Sequence, residues 1–316
     1  MHSIVLPDGR LNGKAVWRRE KLYKGMNGKY VERVYLSPSE SVIFKPLTNT
    51  EQAGKEIYIY RHILPSFPPV YPKLLAHSPE QAGPECGWAL FEDLGRLQHR
   101  FDPGTAERLL VCAASWHALP AGRWADAPLS GPKPSAGTIR SGMLEHERDW
   151  AAFQQSVPGL SPGMYGRLFT ALREIDLDCV QASQVLSHGD LHLGNYALAN
   201  GRLAILDWEH VHLNSRYWDL YHVLDLSHPL FPKSLGTAER ERLLDGYIEA
   251  ASRSGGPPLE PDFKRRYYLF SSLYSLWMLK LIAGDIERNN GIWPLDRLKS
   301  QLAETVQSFK DCLESV

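Results

Sequence analysis

The stretch VLSHGDLHLGNYALANGRLAILDWEH, Val185–His210, decides how this chain is read. It sets Asp190, Asn195, Asp207 and several histidines among residues that otherwise spell buried, sheet-forming chain. Polar groups in apolar surroundings cost desolvation free energy unless something pairs with them. They either satisfy one another in a core or hold a ligand. The two apolar runs YALA and RLAIL are joined by Asn200-Gly201, the dipeptide a type I′ turn favours, and so predict a tight antiparallel hairpin. Such a hairpin takes Asn195 into its first strand and lets Asp207 out of its second, with Asp190 in the loop just before.

Three oxygen-bearing side chains at one end of a hairpin suit a hard cation. Magnesium takes oxygen ligands and commonly binds one or two protein groups together with substrate phosphates. Asn195 and Asp207 fit that description, which leaves Asp190 to accept a proton from an attacking hydroxyl. The spacing H-x-D-x-x-x-x-N with a later Asp matches the catalytic-loop and metal-binding pattern of the protein-kinase fold. A zinc site is the competing reading, because His188 and His192 form an H-x-D-x-H pattern that His210 and His212 could extend. It leaves Asn195, the hairpin and Lys45 unexplained. His188 and His192 are expected to be hydrogen-bonding struts of the loop.

Composition bounds the remaining options. The chain has 316 residues, 43% hydrophobic and 22% charged, enough for a sizeable core in one large domain or two moderate ones. With 35 basic and 36 acidic residues, its charge gives no electrostatic argument for nucleic acid or an anionic membrane. The opening MHSIVLPDGRLNGK has no apolar run of signal-peptide length. The aromatic run Tyr267–Leu279 is too short to span a bilayer and contains three serines. Cys86, Cys112, Cys179 and Cys312 are scattered, which argues against a disulfide framework and for a cytoplasmic protein with reduced thiols.

The chain changes character near residue 95. Before it, Lys29–Leu36 and Glu40–Pro46 read as strands separated by turn residues. The stretch NTEQAGKEIYIYRHIL then reads as a helix capped by Asn49 or Thr50, although Gly54 weakens it. Two further strands follow in PKLLAHS and CGWALFED, and a less regular first strand lies near Ala15–Tyr23. Beyond Gly95 the pattern is helical: Thr105–Leu119, residues 140–156 and 163–176, and most of 215–314. Residues 120–138 are dense in Pro and Gly and read as a long irregular loop. The stripe Tyr267, Phe270, Tyr274, Trp277, Leu281 keeps helical spacing and is expected to be core.

SHGDLHLGN (Ser187–Asn195) with LDWEH (Leu206–His210) resembles the aminoglycoside phosphotransferase and choline-kinase group, the small-molecule branch of the protein-kinase-like fold. That group shows HGDLHxxN followed by D-[FW]-E; here Leu193 stands where many members have Pro. The resemblance implies an α+β, two-lobed fold: a small antiparallel β lobe over residues 1–95 and a larger, mainly helical lobe over 96–316. It implies that Asp190 is the catalytic base and that Asn195 and Asp207 hold Mg²⁺. Lys45 resembles the lysine that contacts nucleotide phosphates, and Glu56 its ion-pair partner. Gly25 and Gly28 sit in the position of the phosphate-covering hairpin, and Glu92 and Leu94 in FEDLG fall at the hinge beside an adenine edge. Asp219 resembles a buried aspartate that braces the catalytic loop. The role of Glu209 stays open.

The implied reaction moves the γ-phosphoryl group of ATP or GTP to a hydroxyl of a small, cationic acceptor. An aminoglycoside or other amino-sugar antibiotic is the first expectation and an amino alcohol such as choline the second. Glu209, Asp225, Asp285 and Glu287 are the acidic candidates for a cationic acceptor. A non-catalytic kinase-like scaffold is the alternative from another class, against which the intact Asp190, Asn195 and Asp207 argue.

Overall fold

The computed structural model describes residues 4–25, 27–47, 49, 52–79, 83–124, 126–129, 131, 134–175, 177 and 184–316. The chain divides into two compact units, Met1–Gln98 with Ala197–His210, and His99–Tyr196 with Val211–Val316. The segment 197–210, which lies beyond residue 95 in sequence, therefore clusters with the first unit.

The first unit is built on a five-stranded sheet in the order β1-β2-β3-β5-β4, formed by β1 (Arg18–Lys24), β2 (Tyr30–Tyr35), β3 (Ser41–Pro46), β4 (Leu74–His77) and β5 (Trp88–Glu92). All its pairings are antiparallel. Along β3 the side chains alternate, so Val42 and Phe44 enter a core with Val5, Val34 and Leu90. The same period of two turns Lys45 to the opposite face, in register with Ala89 on β5. Helix α1 (Lys55–His62) follows β3. It begins later than the expected cap at Asn49, because Gly54 takes φ 75° and serves as the N-cap itself. Thr50, the other expected cap, lies outside the described residues.

A short strand β6 (Leu97–Gln98) joins β8 (Tyr196–Ala199) and β9 (Arg202–Ile205) in a three-stranded sheet ordered β6-β8-β9. The turn between β8 and β9 is the expected one: Asn200 has φ 50° and Gly201 φ 76°, the two positive values that a type I′ turn requires.

The second unit is mainly helical, so the α+β class expected from the sequence is the one observed. Its helices are α2 (Pro103–His117), α3 (Ala136–Glu145), α4 (Glu147–Ser156), α5 (Pro162–Glu174), α6 (Arg216–Leu224), α7 (Thr237–Arg253), α8 (Phe263–Arg288) and α9 (Leu295–Glu314). Asp102 caps α2 by accepting from the Thr105 amide at 2.9 Å, with Pro103 in the first turn. The expected helix over 140–156 is two helices with a break at His146. The loop expected over 120–138 is not irregular throughout: Ala121–Trp124 form a 3₁₀ turn, and α3 already begins at Ala136, capped by Ser135. Strand β7 (Gln184–Ser187) pairs antiparallel with β10 (His212–Ser215), Ser187 opposite His212.

Helix α8 is, by length and composition, long and apolar enough to cross a membrane, but 56% of its most apolar window is buried inside the protein. Tyr267, Phe270 and Tyr274 are core, as their spacing predicts, whereas Leu281 is 42% exposed, so the stripe leaves the core before its end.

Candidate active site

The second unit holds the loop between β7 and β8. Gly189 takes φ 83°, which lets the chain turn sharply ahead of Asp190. The loop then closes on itself: the His192 amide donates to the Asp190 carbonyl at 2.9 Å and the Asn195 amide to the His192 carbonyl at 2.8 Å. Asn195 Nδ2 donates to the Asp190 carbonyl at 2.8 Å and to Asp190 Oδ2 at 3.0 Å. A backbone carbonyl only accepts, so the atom facing it must be Nδ2. That fixes the amide orientation and turns Oδ1, an oxygen suited to a hard cation, away from Asp190. Gly194 is also required, because a Cβ there would stand 2.6 Å from the His192 ring and 2.7 Å from Phe231.

Below the loop lies Asp219 on α6, fully buried. It accepts from Ser187 Oγ at 2.7 Å, from the His188 and Gly189 amides at 2.9 and 3.2 Å, and from Trp116 Nε1 at 3.2 Å. His117 Nε2 stands 3.0 Å from it, while His117 Nδ1 meets the Tyr247 hydroxyl at 2.8 Å. Burial pushes this carboxyl up, but His117, His188 and Ser187 outweigh it and hold it well below the usual carboxylate range. Trp218 of the same helix adds a bond from Nε1 to the Gly189 carbonyl at 2.8 Å. Asp219 thus holds the loop Ser187–Asn195 from below, the position its resemblance implied. Trp116 and His117, which complete the brace, were not singled out by the sequence beyond a helical pattern.

The first unit holds a cluster around Lys45. Its Nζ lies 3.0 and 2.9 Å from the two carboxylate oxygens of Glu56, 2.5 Å from Asp207 Oδ1 and 3.1 Å from Glu209 Oε2. Glu56 is in the first turn of α1, while Asp207 and Glu209 follow β9. Asp207 itself adopts φ 58°. Burial pulls the ammonium of Lys45 down, but Asp207, Glu56 and Glu209 hold it well above its ordinary value. Burial, with Asp207 and Glu209 adding to it, pushes the Glu56 carboxyl up to about 7 against the pull of Lys45. Three carboxylates facing one ammonium leave excess negative charge, even with buried Lys55 acting on Glu209. The Asp207 side chain, 36% exposed against 13% for Lys45, is the open member of this cluster. Glu209 was left without a role by the sequence; it is a ligand of the Lys45 ammonium.

The other expected nucleotide residues are also in the first unit. The Gly25 amide donates to the Lys29 carbonyl at 2.8 Å and the Gly28 amide to the Gly25 carbonyl at 2.9 Å, so both donors close the turn between β1 and β2. Gly28 has φ 82°. Glu92 exchanges bonds with Lys73 at the end of β5, its amide reaching the Lys73 carbonyl at 2.9 Å and its Oε2 accepting from the Lys73 amide at 3.2 Å. Leu94 follows Asp93, which pairs with Arg33 at 2.6 Å.

The histidines of the zinc reading are engaged otherwise. His188 Nδ1 accepts from the Asp190 amide at 3.3 Å and His192 Nδ1 from the Gly194 amide at 2.9 Å, the struts that were expected. His210 faces Glu209 at 3.6 Å, and His212 Nε2 meets Asn214 at 2.8 Å. Among the described residues no three His, Cys, Asp or Glu side chains are gathered to hold a metal by themselves. A hard cation seated by one or two protein oxygens together with substrate phosphates needs no such group. The Asn195 amide orientation and the surplus of carboxylates around Lys45 both fit one.

An antiparallel-sheet unit followed by a mainly helical unit is the architecture of the protein-kinase-like fold. The model of the phosphotransferase enzyme family matches residues 28–261, and the chain belongs to that family. Among solved structures it is similar to a macrolide 2′-phosphotransferase from Brachybacterium faecium, at 16% identity over 93% of both chains with a TM-score of 0.56. It is similar to the GDP and kanamycin complex of APH(2″)-IIIa, at 12% identity over 94% of this chain and 93% of that one with a TM-score of 0.58. A choline kinase from Cryptosporidium parvum Iowa II matches at 12% identity over 96% and 92% with a TM-score of 0.55. At these identities the likeness is one of fold. No curated protein matches the sequence.

Proposed function

We propose that the protein transfers the γ-phosphoryl group of ATP or GTP to a hydroxyl of a small-molecule acceptor, with Asp190 as the base. The observation that carries this is the loop Ser187–Asn195, in which one carboxylate is fixed by Asn195 and braced from below by Asp219. Such transfer rests on positioning and charge neutralisation. Asp190 orients the acceptor hydroxyl and takes its proton. Lys45, steered by Glu56, holds the nucleotide's α/β-phosphates. The turn shaped by Gly25 and Gly28 and the segment Glu92–Leu94 serve the rest of the nucleotide. Asn195 and Asp207 would hold Mg²⁺, which neutralises phosphate charge when bound. The family membership and the GDP-bound neighbour support a nucleotide donor.

For the acceptor we favour an amino sugar such as an aminoglycoside over an amino alcohol. Beside Asp190 the His192 ring stacks on His228 at 4.5 Å, and His228 meets Phe231 at 5.2 Å and Trp293 at 5.4 Å. The stacked His192–His228 pair next to the base, flanked by tilted Phe231 and edge-on Trp293, suits the apolar face of a sugar ring and a nearby ammonium. Of the acidic candidates, Asp225 is withdrawn from this role: it is buried and held by Arg240 at 2.9 Å, Ser308 at 2.5 Å and Tyr267. Glu209 is bound to Lys45 and Asp285 to Arg288, while Glu287 is exposed. The test is to incubate the protein with Mg-ATP or Mg-GTP and kanamycin, a macrolide or choline, then weigh the acceptors by mass spectrometry. Gain of one phosphoryl group on kanamycin is expected; gain on choline alone would move the acceptor class, and no gain on any would count against the reading.

A further inference from the structure

The two oxygens of the Asp190 carboxylate face different chemistry, and the difference is set by histidine tautomers. Oδ2 accepts from Asn195 Nδ2 at 3.0 Å and faces His192 Nε2 at 3.6 Å. His192 Nδ1 accepts from the Gly194 amide, so in the neutral ring its hydrogen is on Nε2, directed at the carboxylate. Oδ1 instead faces His222 Nε2 at 3.7 Å. His222 Nδ1 lies 2.8 Å from the Trp218 carbonyl, which can only accept, so Nδ1 carries the hydrogen. The neutral His222 ring therefore turns a lone pair, not an N–H, toward Asp190. A structural strut would present an N–H there, as His192 does.

We propose that His222 is a positioning residue that acts through Asp190 as a second proton acceptor, an inference that rests on the reading of Asp190 as the base. As the acceptor oxygen bonds to phosphorus and the γ-phosphorus parts from the β-phosphate oxygen, the acceptor O–H breaks and an Asp190 Oδ1–H forms. That bond then breaks as His222 Nε2–H forms, leaving an imidazolium beside a carboxylate. After products leave, the proton returns to solvent through Asp190. The 3.7 Å separation is longer than a hydrogen bond, and such pairs tighten in the reacting complex.

The surroundings suit this role. The His222 side chain is 1% exposed, against 22% for Asp190, so its exchange runs through that carboxylate. The edge of the Trp218 ring packs on it at 4.4 Å, and Trp218 is fixed by Gly189. Charged and titratable groups stand on both sides of the pair. Lys233 binds the His222 backbone carbonyl at 2.8 Å and lies near Glu304, whose Oε2 is 3.4 Å from the Lys233 amide. His192 and His228 stand on the other side of Asp190, and burial, then His192, pushes His228 down to about 4, so it stays neutral near pH 7.

Two readouts on the full chain test it. Ring-nitrogen NMR of ¹⁵N-histidine protein, with His222 assigned by its loss in His222→Asn, should show the Nδ1–H tautomer; an Nε2–H tautomer would overturn the proposal without any turnover being measured. The second readout is kcat and nucleotide KM for Mg-ATP with kanamycin, and for Mg-ATP hydrolysis by water, which needs no added acceptor. Asn can keep the bond to the Trp218 carbonyl but lacks Nε2. His222→Asn should lower kcat about 100-fold at unchanged nucleotide KM. A raised KM with kcat kept would reduce His222 to a strut. Unchanged kcat and KM in His222→Asn, with Asp190→Asn inactive, would sink the relay and spare the base. Turnover in Asp190→Asn would remove the base reading and the relay with it.

Discussion

Asp219 shows how much of the loop Ser187–Asn195 is held by a side chain buried beneath it. Each of its oxygens accepts at least two bonds: Ser187 and Gly189 on Oδ1, and His188, Trp116 and His117 on Oδ2. In Asp219→Asn one side would present an N–H to donors, leaving buried groups unpaired. A loss of about 3 kcal/mol in urea unfolding at pH 7 is expected. Because the folded carboxyl is held below the value of about 3.9 it has when unfolded, its contribution is full above that pH and is lost as pH falls through the folded value. Acid unfolding of the wild type should therefore steepen below about pH 4, and the variant should lack that component. At this scale the sequence revealed Asp190, Asn195, Asp207, Lys45 and Glu56 as candidates because they sit in a local pattern or in an ordered series. It did not reveal His117, whose partner Asp219 is 102 residues away, or His222, whose meaning depends on a ring tautomer.

At the scale of elements, the hairpin β8–β9 was the most legible part of the chain. Asn200-Gly201 encodes its turn in two residues, and both take the positive φ that this requires. Gly201→Ala leaves no atom within 4 Å of the new Cβ, so its cost is conformational alone. It should destabilise the protein by about 1–2 kcal/mol, read as a lower thermal midpoint. If Gly201→Ala were neutral, the turn would not be under the constraint its backbone angles indicate. Helix ends were less legible. Gly54 moved the start of α1 because a left-handed glycine ends helical geometry, and the break at His146 has no proline or glycine at that position to announce it. The aromatic stripe of α8 was correctly read as core through Tyr274, but periodicity does not say where a helix runs out of neighbours to bury it, and Leu281 is exposed.

At the scale of the molecule, the strands before residue 95 and the helices after it were legible from their hydrophobic periods, and the α+β two-lobed class was what the resemblance of SHGDLHLGN and LDWEH implied. The clustering of 197–210 with the first unit was not legible, because sequence proximity favours the neighbours on either side. That placement brings Asp207 and Glu209 to Lys45 within one unit, while Asp190 and Asn195 belong to the other. The central proposal is phosphoryl transfer with Asp190 as the base. The measurement that tests it most directly is the rate of nucleoside-diphosphate release from Mg-ATP and Mg-GTP with kanamycin, a macrolide or choline, for the wild type and Asp190→Asn side by side. Acceptor-dependent release that falls by at least about 100-fold in the variant, with nucleotide binding retained, is the predicted result. Release at equal rates in both proteins would contradict it.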